Sequence, residues 1–272
     1  MNNTKSFGLI GKLLVTSDIK VISGLRVGGS SGGLKIGGVD QNVIIDPEGR
    51  PYIPGSSIKG KLRSLLEWKL ANGDQNYFNS KTGQRTVKNY EEYSRCISSQ
   101  IFGSMLMGKK ISDDKKGMPT LTRLYVRDVF LDKHSITEKM ASNIDLPYTE
   151  VKYETAINRI RGSAASGSLR QIERVPAGAI FNNLEMVFNL FLSEDKKLIK
   201  HLLSALKLLE DDYLGGMGSR GYGKIKFENV RMQWNSAKAY ETGNLPGPKV
   251  NEEWETLNSI IKNIDAIVAK LV

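Results

Sequence analysis

The sequence predicts an α+β fold of ferredoxin-like or RNA-recognition type, with a long inserted hairpin and an additional C-terminal helix. Three observations carry that expectation. Two strongly amphipathic helices are each flanked by strand-like segments, in the order strand, helix, strand, arm, strand, helix, glycine loop, strand. The stretch Leu184, Met186, Phe188, Leu190, Leu192 alternates as a half-buried strand should. No internal repeat competes with a single sheet.

The first strand is expected at Phe7–Thr16, apolar at Phe7, Leu9, Leu13 and Val15. It runs into Ser23-Gly24-Leu25-Arg26-Val27 and a glycine-serine tract ending at Gly37-Gly38-Val39-Asp40, followed by a short apolar strand at Val43–Ile45. Asp46-Pro47-Glu48-Gly49 is a turn, with proline fixing φ. A helix then starts with Ser56 or Ser57 as its cap, and Ile58, Leu62, Leu65, Leu66 and Leu70 share one face. Residues 71–95 are polar and aperiodic and read as a long loop. Ile97–Phe102 is a short helix and Leu121–Leu131 a strand. Tyr148–Gly178 is densely charged around Gly162-Ser163-Ala164-Ala165-Ser166-Gly167 and reads as a hairpin arm. The second helix carries Leu198, Ile199, Leu202, Leu206 and Leu209 on its apolar face, with Ser193 as cap and Glu194 and Asp195 at its positive end. A second glycine tract, Tyr213–Lys224, leads to a strand near Ile225–Trp234. The final amphipathic helix presents Trp254, Leu257, Ile261, Ile264, Val268 and Leu271.

The chain has 272 residues, with 39 Lys+Arg against 29 Asp+Glu and a formal charge of +10, which points to a polyanionic partner. Cys96 stands alone, so no intramolecular disulfide can form. His134 and His201 are the only histidines, too few for a Cys/His zinc site, and neither lies in a triad-like motif. No run approaches the length of a membrane span, and the N-terminal apolar stretch is split by Lys12. A soluble, cytoplasmic protein is expected.

Two segments have P-loop spacing. Gly55 to Lys61 satisfies G-x-x-x-x-G-K, but Leu62 stands where a hydroxyl should hold Mg²⁺; Gly218 to Lys224 fits the same spacing but has Ile225 there. Nucleotide hydrolysis is therefore disfavoured, while the underlying physics survives. Glycine permits close backbone approach to a phosphate, and a helix start near Ser56 and Ser57 directs free N–H groups at it. Lys59, Lys61 and Arg63 add charge nearby; alone they would read as a solvated face, and the glycine and serine around them shift the reading towards a phosphate-backbone site. On the arm, Arg159, Arg161, Arg170 and Arg174 suit phosphate binding and base stacking, but Glu150, Glu154 and Glu173 offer internal salt bridging instead. Asp40, after a glycine pair, is either a turn former or a carboxylate beside bound RNA. In the second case it would bind a divalent ion or help a ribose 2′-hydroxyl attack its phosphate.

Four blocks together resemble the backbone subunit of the type III-A CRISPR effector (Csm) complex, in the repeat-associated mysterious protein (RAMP) superfamily. They are Gly24-Leu25-Arg26-Val27-Gly28-Gly29 continuing to Ile36-Gly37-Gly38-Val39-Asp40; Ile53 to Arg63; Tyr148 to Glu154 continuing to Arg170–Arg174; and Asp212 to Lys224. The resemblance implies a palm over 1–234 with a thumb hairpin at 148–178; the long insertion at 71–95 and, after a linker at 235–249, the helix at 250–272 depart from the family's pattern as additions. It implies copies polymerised along a CRISPR RNA, each thumb intruding between guide and complementary target RNA, alongside other type III-A subunits and with no membrane. It implies that Asp40 cuts the target with a divalent metal, Mg or Mn, whose ligands are unknown. RNA-binding roles fall to Arg26, Ser56, Ser57, Lys59, Lys61, Arg63, Arg170, Arg174, Gly216, Gly218, Arg220 and Lys224. Many relatives have histidine where this chain has Arg26, and guanidinium cannot act as a general base, so a phosphate contact is the role expected there. The alternatives are a non-cleaving guide-RNA filament subunit and, below it, a CRISPR RNA-processing nuclease.

Overall fold

The computed structural model describes residues 8–28, 41–74, 76–87, 90–104, 121–251 and 256–271. Asp40 and Trp254 lie outside the described residues. In chain order the elements are β1 (Gly11–Val21), β2 (Tyr52–Ile53), α1 (Gly55–Ala71), α2 (Tyr90–Arg95), α3 (Ile97–Phe102), β3 (Leu124–Val126) and β4 (Val129–Leu131). After a short helix α4 (Glu138–Ala141) come β5 (Glu150–Glu154), β6 (Ile157–Asn158), β7 (Ser163–Ala164), β8 (Arg170–Arg174) and β9 (Ile180–Leu190). The chain closes with α5 (Leu198–Asp211), β10 (Ile225–Ser236), α6 (Ala237–Thr242), α7 (Leu257–Lys262) and α8 (Ile264–Ala269).

The main sheet is ordered β10-β1-β9-β4-β2, with β3 also paired to β9, and its pairings are antiparallel. Reduced to β1, α1, β4, β9, α5, β10, this is βαββαβ with the first strand central, the ferredoxin-like arrangement. Alternation along β1 decides which face is dry: Leu13, Val15, Ile19 and Val21 are buried, while Lys12, Leu14, Thr16, Asp18 and Lys20 are half-exposed. Ile58, Leu62 and Leu66 of α1 and Leu202, Leu206 and Leu209 of α5 belong to the same core. Both helices therefore close the dry face, and α7 packs on α5 from outside. Among the described residues no helix is long and apolar enough to cross a membrane.

Several expectations are corrected in detail. The first strand is Gly11–Val21 rather than Phe7–Thr16, because its pairing partners β9 and β10 extend to the later residues. Neither Ser56 nor Ser57 caps α1. The cap position is Pro54, and the Asp128 carboxylate accepts the Gly55 N–H at 2.7 Å. The expected strand Leu121–Leu131 is two short strands, β3 and β4, with Arg127 and Asp128 between them. Ser193 does not cap the second helix either; Asp195, inside a preceding 3₁₀ turn, accepts the N–H groups of Phe191 and Leu192. The stretch 71–95 is not wholly loop, since α2 forms at its end and Val87 and Tyr93 bury there against Cys96. The single C-terminal helix is two short ones, interrupted at Asn263. The strand near Ile225 extends to Ser236 and is followed directly by α6.

Between 148 and 178 the chain leaves the sheet as a two-stranded arm. β5 pairs with β8 from Glu150↔Arg174 to Glu154↔Arg170, and the tip is the β6–β7 pair. The tip is apolar as well as exposed: Ile160 is 97% exposed. An isoleucine so placed has no packing role within this chain.

Candidate nucleic-acid interface

The two glycine tracts meet. Gly216 N–H donates to the Arg26 carbonyl at 2.9 Å and Gly223 N–H to the Gly24 carbonyl at 3.0 Å, while Leu214 N–H closes the loop on Gly223 O. Glycine is required in this seam. At Gly215, with φ +78°, a Cβ would lie 2.1 Å from the Arg26 carbonyl oxygen; at Gly223, with φ +77°, it would lie 2.1 Å from that of Leu214. Gly218 sits flat on the Tyr213 ring, 2.0 Å from where its Cβ would be. Met217 takes a left-handed conformation (φ 64°), from which a single 3₁₀ turn, Gly218–Arg220, carries Arg220 outward.

Arg26 lies along this seam. Its guanidinium nitrogens would be 3.3 Å from a Cβ at Gly28 and 3.1 Å from one at Gly216, so the side chain lies closely between these two glycines. Its Nε is buried without a hydrogen-bond partner.

The start of α1 faces the same loop. Lys61 pairs with Asp212 at 3.1 Å and its Nζ stands 3.6 Å above the Tyr213 ring, fastening helix to glycine loop. Lys59 is half-buried, and burial together with the Arg63 charge holds its ammonium below the usual lysine range. Ser56 is exposed on the first turn and Ser57 is half-buried. Arg63 is turned inward. Its Nε donates to Glu67 at 2.8 Å, and its terminal nitrogens donate to the carbonyls of Gly103 and Arg85. That is the geometry of a brace between α1 and the 76–104 region.

The arm is rooted on the opposite side of the seam. The Arg174 stem crosses Gly24, where a Cβ would be 2.5 Å away, and its Nε donates to Glu150 at 2.6 Å. Tyr222, buried in the glycine loop, donates its hydroxyl to Glu154 Oε1 at 2.9 Å, with Lys152 and Arg174 over its ring at 4.6 and 4.9 Å. Burial and the Glu154 carboxylate push the Tyr222 phenol up to about 12, so it remains a donor at neutral pH. Burial works against ionisation of Glu154, but the Tyr222 hydroxyl and Lys152 outweigh it and hold its carboxyl below the usual range. Arg220 reaches Glu154 Oε2 at 3.4 Å, whereas Arg170 is exposed and Lys224 points outward. Gln41, the residue after Asp40, is tied to the arm through Glu173 N–H donating to its carbonyl at 3.0 Å.

Arg26, Lys61, Gly216, Gly218 and Arg220 thus border one seam, with Arg170 and Arg174 on the arm beside it, while Ser56, Ser57 and Lys59 lie on the first turns of α1, whose start is held by Asp128. Arg63 stands apart as a brace. The sequence assigns Tyr222, Asp212 and Tyr213 no individual role, whereas the internal salt bridging expected of Glu150 and Glu154 is present. The one available signal is the pair of aromatic residues, Tyr213 and Tyr222, within the second glycine tract.

Residues 18–226 match the RAMP superfamily. The chain belongs to that superfamily. Within it, the chain is 40% identical over 263 residues to the CRISPR system Cms endoribonuclease Csm3 of Methanocaldococcus jannaschii, covering 95% of each. It is 36% identical over 227 residues to the Csm3 endoribonuclease of Streptococcus thermophilus, covering 81% of this chain and 89% of that one. Among solved RAMP structures, a chain of the Csm3–Csm4 subcomplex of the type III-A CRISPR-Cas interference complex superposes with a TM-score of 0.56 at 30% identity, covering 95% and 97% of the two chains. The Methanopyrus kandleri Csm3 crystal structure has the same fold, with a TM-score of 0.64 at 22% identity over 97% and 99%. The four sequence blocks all lie within or next to the matched span, and the sheet they decorate is the ferredoxin-like palm of the Csm3 RAMP proteins.

Proposed function

We propose that this chain is the guide-RNA-binding backbone subunit of a type III-A CRISPR effector, repeated along a CRISPR RNA, and that it cleaves complementary target RNA at regular intervals. The observation that carries this reading is the convergence of glycine loop, α1 start and arm on one seam, in a chain whose relatives across most of its length are named endoribonucleases. The seam provides what an RNA backbone needs. Glycines allow close approach, and Arg26 and Arg220 supply donors.

The cut is assigned to Asp40. The residue that follows it, Gln41, is held against the arm's β8, so the proposal puts cleavage at the arm's root, where guide and target would part. A divalent cation, Mg or Mn, is proposed as a requirement of that cut. The described residues do not fit a cation site by themselves: no group of three metal-ligating side chains occurs among them, and Glu150, Glu154 and Asp212 each already face a cationic side chain. No step is therefore routed through a metal here.

The test is the protein assembled on a guide RNA and given end-labelled complementary RNA with Mg²⁺. Products at a constant spacing, absent with non-complementary RNA and absent with chelator, are expected. Guide-bound assemblies that leave the target whole would favour the non-cleaving filament subunit, and cutting that survives chelation would remove the cation from the proposal.

A further inference from the structure

Between the arm and the glycine loop lies a pocket of about 370 Å³ lined by Glu154, Thr155, Ala156, Arg170 and Arg220. Its chemistry is unusual for a surface that is to hold a polyanion, because a carboxylate forms its floor. Glu154 and Arg170 are directly opposed across the β5–β8 ladder, which sets both side chains on one face of the arm. They make no ion pair with one another, and Arg170 has no side-chain partner among the described residues. Arg220 enters from the glycine loop, half-exposed, with only the long 3.4 Å contact to Glu154.

The acceptor count at Glu154 narrows what the pocket can take. An ionised carboxylate offers about four acceptor positions. Oε1 receives the Tyr222 hydroxyl at 2.9 Å and faces Lys152 at 3.3 Å, and Oε2 faces Arg220 at 3.4 Å. One position on Oε2 remains, on the oxygen that faces Arg220, and both residues line the pocket. It accepts and cannot donate, so it repels a phosphate and selects a hydroxyl or amine. The two arginines select an anion. The lining brings no aromatic ring on which a base would stack. A group with a hydroxyl donor next to an anion, and no need of a stacking surface, is a ribose with its phosphate.

Resting on the RNA-binding reading above, we infer that this pocket holds one ribonucleotide of the bound strand, with Arg170 and Arg220 on its phosphate and Glu154 Oε2 accepting its 2′-hydroxyl. The pocket is then where the protein distinguishes RNA from DNA, since the 2′-hydroxyl is the group that differs. Tyr222, Lys152 and the glycine loop position Glu154 for this without touching the nucleotide.

The experiment measures binding of the full chain to a single-stranded RNA and to the 2′-deoxy strand of the same sequence, across a range of salt. Wild type is expected to prefer the RNA by roughly tenfold, the scale of one hydrogen bond to a charged acceptor. Glu154→Ala is expected to lose most of that preference by weakening RNA binding alone. Arg170→Ala is expected to weaken both strands equally and to reduce the salt slope by about 0.7, one single-strand phosphate contact. Equal weakening of both strands by Glu154→Ala, or an unchanged ratio, would overturn the inference. So would a wild type without preference, a measurement that needs no variant. In those cases strong, salt-dependent binding of either strand leaves the RNA-binding reading standing, whereas a wild type that binds neither strand removes both.

Discussion

Asp195→Ala is expected to lower the melting temperature by roughly 10 °C, the shift that a loss of about 3–5 kcal/mol produces in a chain of this size. Asp195 and Arg123 form an ion pair at 2.9 Å with side chains only 2% and 5% exposed. Removing the carboxylate leaves a guanidinium buried without its counter-charge, and its remaining partners, the Tyr93 hydroxyl and the carbonyls of Gln100 and Leu121, are neutral. It also orphans the Phe191 and Leu192 N–H groups where β9 passes into α5. Replacing both members, Asp195→Leu with Arg123→Met, should recover only the part due to the unpaired guanidinium, because the acceptor for the Phe191 and Leu192 N–H groups is still missing. Thermal unfolding of the single and double variants checks this, and a single variant as stable as wild type would contradict it.

Gly215→Ala is expected to damage RNA binding by displacing the glycine loop from Arg26. The added methyl would meet a backbone carbonyl, that of Arg26 at 2.1 Å, and a carbonyl cannot rotate aside as a side-chain tip can. The residue also sits at φ +78°, where alanine is strained. Strain and displacement together cost about 3 kcal/mol. The structure would recover part of this by shifting the glycine loop off Arg26, breaking the Gly216–Arg26 hydrogen bond. RNA affinity should therefore fall even where the variant remains folded. Gly221→Ala is the comparison, since it shares the positive φ but has open space around its Cβ. Binding by the two variants at equal salt separates loop displacement from backbone strain, and equal affinities would contradict the placement of the seam.

The sheet and its two covering helices were legible because their signals are local and redundant. Leu198, Ile199, Leu202, Leu206 and Leu209 lie on one helical face and all are buried. Leu184, Met186, Phe188 and Leu190 alternate and are buried too. The caps were not legible, because each is made at a distance or from an unexpected offset: Asp128 caps α1 from 73 positions away, and no spacing rule reports that. The same holds for the seam. Glycine tracts announced close backbone approach, but which atom approaches which depended on the meeting of residues 24–28 with 214–223.

Charge was the other ambiguity, and the structure divides it. Lys61, Arg63 and Arg174 are paired with Asp212, Glu67 and Glu150, whereas Arg170 is free of side-chain partners among the described residues. A charge total cannot make that distinction, because the partners come from other elements. Glu154 shows the converse. Within the sequence it was one more acidic residue on a basic arm, and only the Tyr222 hydroxyl and the cross-strand Arg170 give it a specific task.

We propose that the guide-bound subunit itself cuts the target, through Asp40. The most direct measurement compares wild type and Asp40→Ala, each assembled on guide RNA, for retained guide and for cleavage of end-labelled complementary RNA. The account predicts equal guide binding in both, regularly spaced products with wild type, and an uncut target with Asp40→Ala. Regular cutting by the alanine variant at the wild-type rate would contradict it.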